Sequence, residues 1–114
     1  MSLSDLKLAG FCRDFALDKK AVDPILLDLT GLCGPSSYFL ICSGESEPQL
    51  KAIADSILTG MKEKHGVRAA GHDGKSGSQW IVLDYGAVLV HVMHAEKRRY
   101  YNLEHLWRDA KIVK

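Results

Sequence analysis

The chain holds little of what usually declares a function. Its three cysteines, Cys12, Cys33 and Cys42, are odd in number and none stands in a C-x-x-C pair. A disulfide framework or a structural zinc site is therefore not expected, and free thiols in a reducing cytoplasm fit better. No apolar run approaches the roughly 18 residues of a membrane span, so no membrane partner is expected. The opening "MSLSDLKLAG" lacks the basic stretch and long apolar core of a secretion signal, and it is not rich in arginine as a transit peptide would be. A dominant charge is missing too. The formal net charge is +1, so no global field steers the chain to nucleic acid or membrane, although a local basic patch is still allowed. Within those exclusions, 114 residues with 46% hydrophobic and 25% charged side chains are enough for one folded domain, residues 1–114, with a real core.

Neither repeats nor low-complexity linkers divide the chain. Residues 4–19 read as a helix, with Ser4 as N-cap and Leu8, Phe11, Cys12 and Phe15 on one stripe. "PILLDL" (24–29) and "YFLIC" (38–42) read as strands around the loop "GLCGPSS". The clearest element follows. Ser46 and Gln49 form an S-x-x-Q capping box, and Leu50, Ile53, Ala54, Ile57, Leu58 and Met61 keep a helical stripe to a Gly66 cap. "VRAA" (67–70) is read as a short strand, "GHDGKSGS" as a flexible loop, 79–94 as a hairpin, and a last helix after Asn102 carries Leu103, Leu106, Trp107 and Ala110 on one side. A strand–helix–strand unit demands a parallel pair and the hairpin an antiparallel one. The expected fold is α/β: a mixed five-stranded sheet with helices packed on it.

The hairpin "QWIVLDYGAVLVHVMH" is the unusual segment, because it is apolar almost throughout. With Tyr85–Gly86 as its turn, one face carries Ile81, Leu83, Val88, Val90 and Val92. The other carries Trp80, Val82, Asp84, Ala87, Leu89, His91 and Met93. The first face is core. A helix covering the second is one reading. An open patch with Trp80, Asp84 and His91 at its rim is the other, and such a patch suits a protein partner.

Sites for chemistry are hard to find. "DGKS" (73–76) resembles the end of a phosphate loop, but Ala69 stands where the first glycine belongs and a strand follows instead of a helix. His91 and His94 are three apart on a strand and face opposite ways, so they do not converge on a metal. "CSGES" (42–46) turns from a strand into a helix N-terminus, as in nucleotidyltransferases, but those enzymes need paired carboxylates for two metal ions. Asp84 is followed by Tyr85 and Gly86, while Asp28 and Asp55 are isolated. Neither a catalytic residue, a metal nor a cofactor is assigned, and the expectation is a non-enzymatic module with a contact face.

"WIVLDYGAVLVHVMH" followed by "EKRRYYNLEHLW" resembles the signature of the ribosomal silencing factor family, also called Iojap-like or RsfS. The likeness extends to "KKAVDPILLDLTGLCGPSSYFLICSGESEPQLKAIADSI" and so to nearly the whole chain. Matching positions are Tyr38, Phe39, Ser43, Gly44, Trp80, Asp84, Tyr85, Gly86, His91, Arg98, Tyr101, Leu103, Glu104, Leu106 and Trp107. The resemblance implies a nucleotidyltransferase-like fold without the catalytic carboxylates. It also implies a bacterial cytoplasmic protein that binds ribosomal protein fourteen on the large subunit, blocks joining of the small subunit and damps translation when nutrients are scarce. Three positions depart from the pattern. Ser37 and Ala87 stand where the family often has Asp, and Met93 where it has Phe.

On this basis Trp80, Tyr85, Leu89 and Met93 are expected to supply apolar contact, with Trp80 and Tyr85 the strongest. His91 lies among them, and Asp84 and Glu104 are expected to pair with basic residues of the ribosomal protein. Trp107 is expected in the core. Sequence-specific nucleic acid binding is not expected. Two rival readings remain: a reduced metal-dependent nucleotidyltransferase using Ser43, Asp55 and Asp84, and a homodimer formed through the hairpin face.

Overall fold

The computed structural model describes residues 4–32, 36–74 and 79–113. Cys33 lies outside them, as do Lys75 and Ser76 of the phosphate-loop-like stretch and residues 75–78 of the expected flexible loop. Helix α1 (Asp5–Asp18) starts where the Ser4 hydroxyl accepts the Lys7 amide. It leads into β1 (Val22–Asp28), and β2 (Tyr38–Gly44) returns beside it. Pro24 falls in an irregularity of β1 between Val22 and Ile25, where Asp23 takes a φ of 45°. A bulge is one of the few places where a strand tolerates proline.

Helix α2 (Glu47–His65) is capped at both ends as the sequence predicts. Ser46 accepts the Gln49 amide, and Gly66 closes the C-terminus with φ 67°. The return half of the capping box differs. Gln49 Oε1 accepts the amide of Glu45, at 2.7 Å, and its Nε2 donates to the Lys20 carbonyl at 3.0 Å. One glutamine thus ties the start of α2 to the turn after α1. The two helices pack closely: a Cβ on Gly60 would fall 2.5 Å from the Phe15 ring.

Beyond α2 come β3 (Gly71–Asp73), β4 (Trp80–Asp84), β5 (Val88–His94), α3 (Ala95–Tyr101), the single turn α4 (Leu103–Leu106) and β6 (Lys111–Val113). The sheet order is β3-β4-β5-β2-β1-β6. Pair β2–β5 is parallel and the other described pairs are antiparallel. The mixed α/β sheet is as expected, but it has six strands rather than five. The added strand, β6, lies antiparallel to β1. The strand expected at 67–70 forms instead at 71–73, pairing with Val82–Asp84.

Both sheet faces have a core. Helices α1 and α2 cover one, where Leu26, Leu40, Leu50, Ile53, Ile57, Leu83, Val88 and Val90 are buried. Burying such a side chain contributes about 1.5–3 kcal/mol each. Cys12 and Cys42 also lie there, wholly buried, and burial pushes both thiols up to about 12. The second face holds a smaller cluster of Leu27, Leu29, Phe39, Ile41, Met93 and Ala110, with Leu103 and Trp107 packed on it. Trp107 therefore sits at the core, as expected. Leu106, expected on the same apolar side, is 67% exposed, because the helix runs for only one turn before the chain bends towards β6.

Candidate protein-binding face

The hairpin register differs from the expected one by two residues. Tyr85 N donates to Val88 O at 2.9 Å, so the turn residues are Gly86 and Ala87. Gly86 takes the positive φ, 79°, that a glycine at the first turn position supplies. Trp80 then pairs with Met93, Val82 with His91 and Asp84 with Leu89. A slip of two preserves which side chains share a face. Ile81, Leu83, Val88, Val90 and Val92 accordingly join the helix-side core.

The second face is only partly open. Asp84 is exposed, and Trp80, Val82 and Leu89 are partly buried. Met93 is wholly buried and His91 is 5% exposed, since the segment after β5 folds back over them. Their expected contact role is corrected: they form the floor beneath Trp80. Tyr85 is corrected as well. Its ring packs on the helix-side cluster and its hydroxyl is buried with no hydrogen-bond partner among the described residues. Burial, then the Cys12 thiol nearby, pushes the phenol pKa up.

An aromatic chain crosses this face. Trp107 meets Phe39 edge-on at 5.8 Å, Phe39 meets His91 at 4.7 Å, His91 meets Trp80 at 5.8 Å, and Trp80 meets Tyr101 at 4.9 Å. Such pairs add about 0.5–1.5 kcal/mol beyond area burial. The Trp80 indole Nε1–H donates to His91 Nδ1 at 3.1 Å. That bond places the proton of a neutral His91 on Nε2, which is buried without a partner among the described residues. Burial pulls the His91 pKa down to about 4. His94 faces elsewhere, and its Nδ1 accepts the Glu96 amide at the start of α3.

Glu104 has a partner inside the chain. Its Oε1 accepts Arg98 Nε at 3.0 Å. The same guanidinium donates to Ser43 Oγ at 3.0 Å and to the carbonyls of Val22 and Asp23 at 3.2 and 2.7 Å. Glu104 is therefore engaged within the chain, in a structural node with Arg98. Arg98 stood among the family-matching positions, but sequence gives a lone arginine no role. Its signal is burial, at 9% exposure, which an arginine tolerates only when its donors are met.

The enzyme-like trio does not assemble. Ser43 lies level with Met93 and Trp80, whereas Asp84 lies level with Leu89 and Phe39, four residues along β5. That is about 13 Å at strand spacing. Asp55 is exposed on α2. Among the described residues no group of three His, Cys, Asp or Glu side chains is placed to hold a metal, and no helix is long and apolar enough to cross a membrane.

The family described as "Ribosomal silencing factor during starvation" matches residues 3–114. The chain belongs to the ribosomal silencing factor family. It is 40% identical over 110 residues to a Bacillus subtilis protein named ribosomal silencing factor RsfS, covering 96% of this chain and 90% of the relative. A Halalkalibacterium halodurans protein of the same name is also 40% identical, over 97% of this chain and 94% of its own length. Plant relatives include an Arabidopsis thaliana chloroplastic Iojap protein, 34% identical over 83% of this chain and 39% of the relative. A crystal structure of a Chromobacterium violaceum protein superposes with a TM-score of 0.87 at 32% identity, covering 92% of this chain and 87% of that one. A Bacillus halodurans structure gives 0.81 at 34% identity, over 96% and 99%. In this silencing-factor chain, Ser37 and Ala87 lie side by side. The amides of Ser37 and Tyr38 both donate to the Ala87 carbonyl at 2.9 Å.

Proposed function

We propose that this ribosomal silencing factor acts in the bacterial cytoplasm by binding the large ribosomal subunit at its ribosomal protein fourteen and sterically blocking the small subunit, so that translation falls when nutrients are limiting. The observation that carries the reading is the partly exposed strip Trp80, Val82 and Leu89 ending at the exposed carboxylate of Asp84, in a chain of a family named for silencing ribosomes. Trp80 is the anchor, because its ring is already held by His91 and Tyr101 and loses little freedom on binding. Asp84 adds orientation and on-rate towards a basic partner. The strip is narrower than the sequence suggests, since Tyr85, His91, Met93 and Glu104 face inward or are engaged within the chain.

Cosedimentation with large subunits tests it. Trp80→Ala is expected to weaken binding about tenfold or more, and Asp84→Arg to slow association, with circular dichroism confirming the fold of each. Undiminished binding by both variants would remove the face from consideration. Wild-type protein that binds no large subunit would remove the function.

A further inference from the structure

The near-zero net charge conceals an uneven distribution. Residues 95–114 carry six basic and three acidic side chains, whereas residues 1–94 carry nine and eleven. Arg98 and Glu104 cancel each other as an ion pair, which leaves five basic and two acidic side chains. On α3, Lys97, Tyr100 and Tyr101 stand at i, i+3 and i+4 and share a side of the helix, and the exposed Arg99 follows on the side beyond Tyr100. Tyr100 is 77% exposed and Tyr101 49%. The two rings meet edge-on at 5.0 Å, and Tyr101 rests against Trp80. From below, Arg98 fastens α3 to β1 and β2. The result is a pair of solvent-facing rings among cations, on a platform that is held in place.

We infer that α3 is an RNA-contact surface, in which Tyr100 stacks on an unpaired base and Lys97 and Arg99 meet the flanking phosphates. The charges alone would suit an acidic protein surface equally well. The rings decide for RNA, because a flat aromatic face beside guanidinium and ammonium groups matches a base with its phosphates. Such contact is tolerant of base identity, so it does not conflict with the absence of sequence-specific recognition. It adjoins the Trp80–Asp84 strip where Tyr101 meets Trp80, but it does not depend on the protein partner assigned there.

The test uses the free full-length chain and a fluorescent twelve-nucleotide oligouridine, read by anisotropy at low salt. Wild type is expected to bind, and to weaken as salt rises with a logarithmic slope of about 0.7 per phosphate contacted. Tyr100→Ala is expected to lose about fivefold or more of the affinity, and Lys97→Ala with Arg99→Ala to flatten the salt slope. Leu106→Ala, exposed but outside the patch, is expected to change nothing. Absence of salt-sensitive binding by the wild type, or equal binding by Tyr100→Ala, would overturn the proposal. So would displacement of the oligonucleotide by polyglutamate with no dependence on Tyr100, which would give the patch to an acidic protein. Oligouridine binding without large-subunit binding would uphold this inference and defeat the preceding one.

Discussion

The two faces of the sheet are built differently. The helix side is a continuous aliphatic core under two full-length helices, with small residues such as Ala9, Ala16 and Gly60 allowing close approach. The second side is covered by a seven-residue helix, a single turn and the bend after it, and rings do much of the filling. Aliphatic packing under long helices needs no partner beyond its own layers. The second side has a short cover that cannot reach all of β4, so Trp80, Val82 and Asp84 stay accessible to different degrees. The closed core and the partly open strip thus lie on opposite faces of one sheet.

That division is open to direct attack. The largest effect is expected on the helix side. Ile57, wholly buried, truncated to alanine should cost about 2–5 kcal/mol in urea denaturation, because it leaves a cavity between α2 and the sheet. Next comes Arg98→Ala, which strands Glu104 and three other acceptors. A loss of about 3 kcal/mol is expected, with near-ultraviolet circular dichroism changing at the aromatic chain while the far-ultraviolet helix signal of α1 and α2 persists. If the aromatic signal is unchanged, the node does not hold the cover.

The third effect is a pH dependence confined to the second face. His91 has a folded pKa near 4, below its ordinary 6.5, owing to burial. The unfolded chain therefore binds the proton more readily, and the stabilisation from neutral His91 is present above about pH 6.5 and lost as pH falls towards 4. Between pH 7 and pH 5 the loss should be about 2 kcal/mol. His91→Phe should remove most of that slope, and urea midpoints measured across this range check it. An unchanged slope would place the titration elsewhere.

The same contrast explains what could be read from the chain. Helix α2 was legible to its caps, because nineteen residues of regular periodicity leave little choice. The hairpin faces were legible even though the turn was placed one residue early, since the pairing slipped by two and strand alternation has that period. Helix α3 was not. It is seven residues long, its buried residue is Arg98, and its N-cap is the last residue of β5, His94, so neither periodicity nor a separate cap announced it. The strands at 71–73 and 111–113 are three residues each, too short to show an alternation, and the first has no apolar side chain. Because α3, α4 and the bend after them supply the cover, the sequence could identify the second face but not which of its residues are shut. Met93 and His91 are shut by that cover, whereas Tyr85 turns to the helix side and packs on its cluster.

The guanidinium of Arg98 also bears on the order of events when the chain is made. Its bonds to Val22, Asp23 and Ser43 span 76, 75 and 55 positions. Every partner on that list precedes it in synthesis and must wait for it. A nascent chain that has reached His94 already contains both long helices and the strands they cover, yet its aromatic side lies bare until Leu103, Trp107 and Ala110 emerge. Docking of the segment after β5 is therefore a sealing step, and Trp80, Val82 and Leu89 are what it leaves partly open.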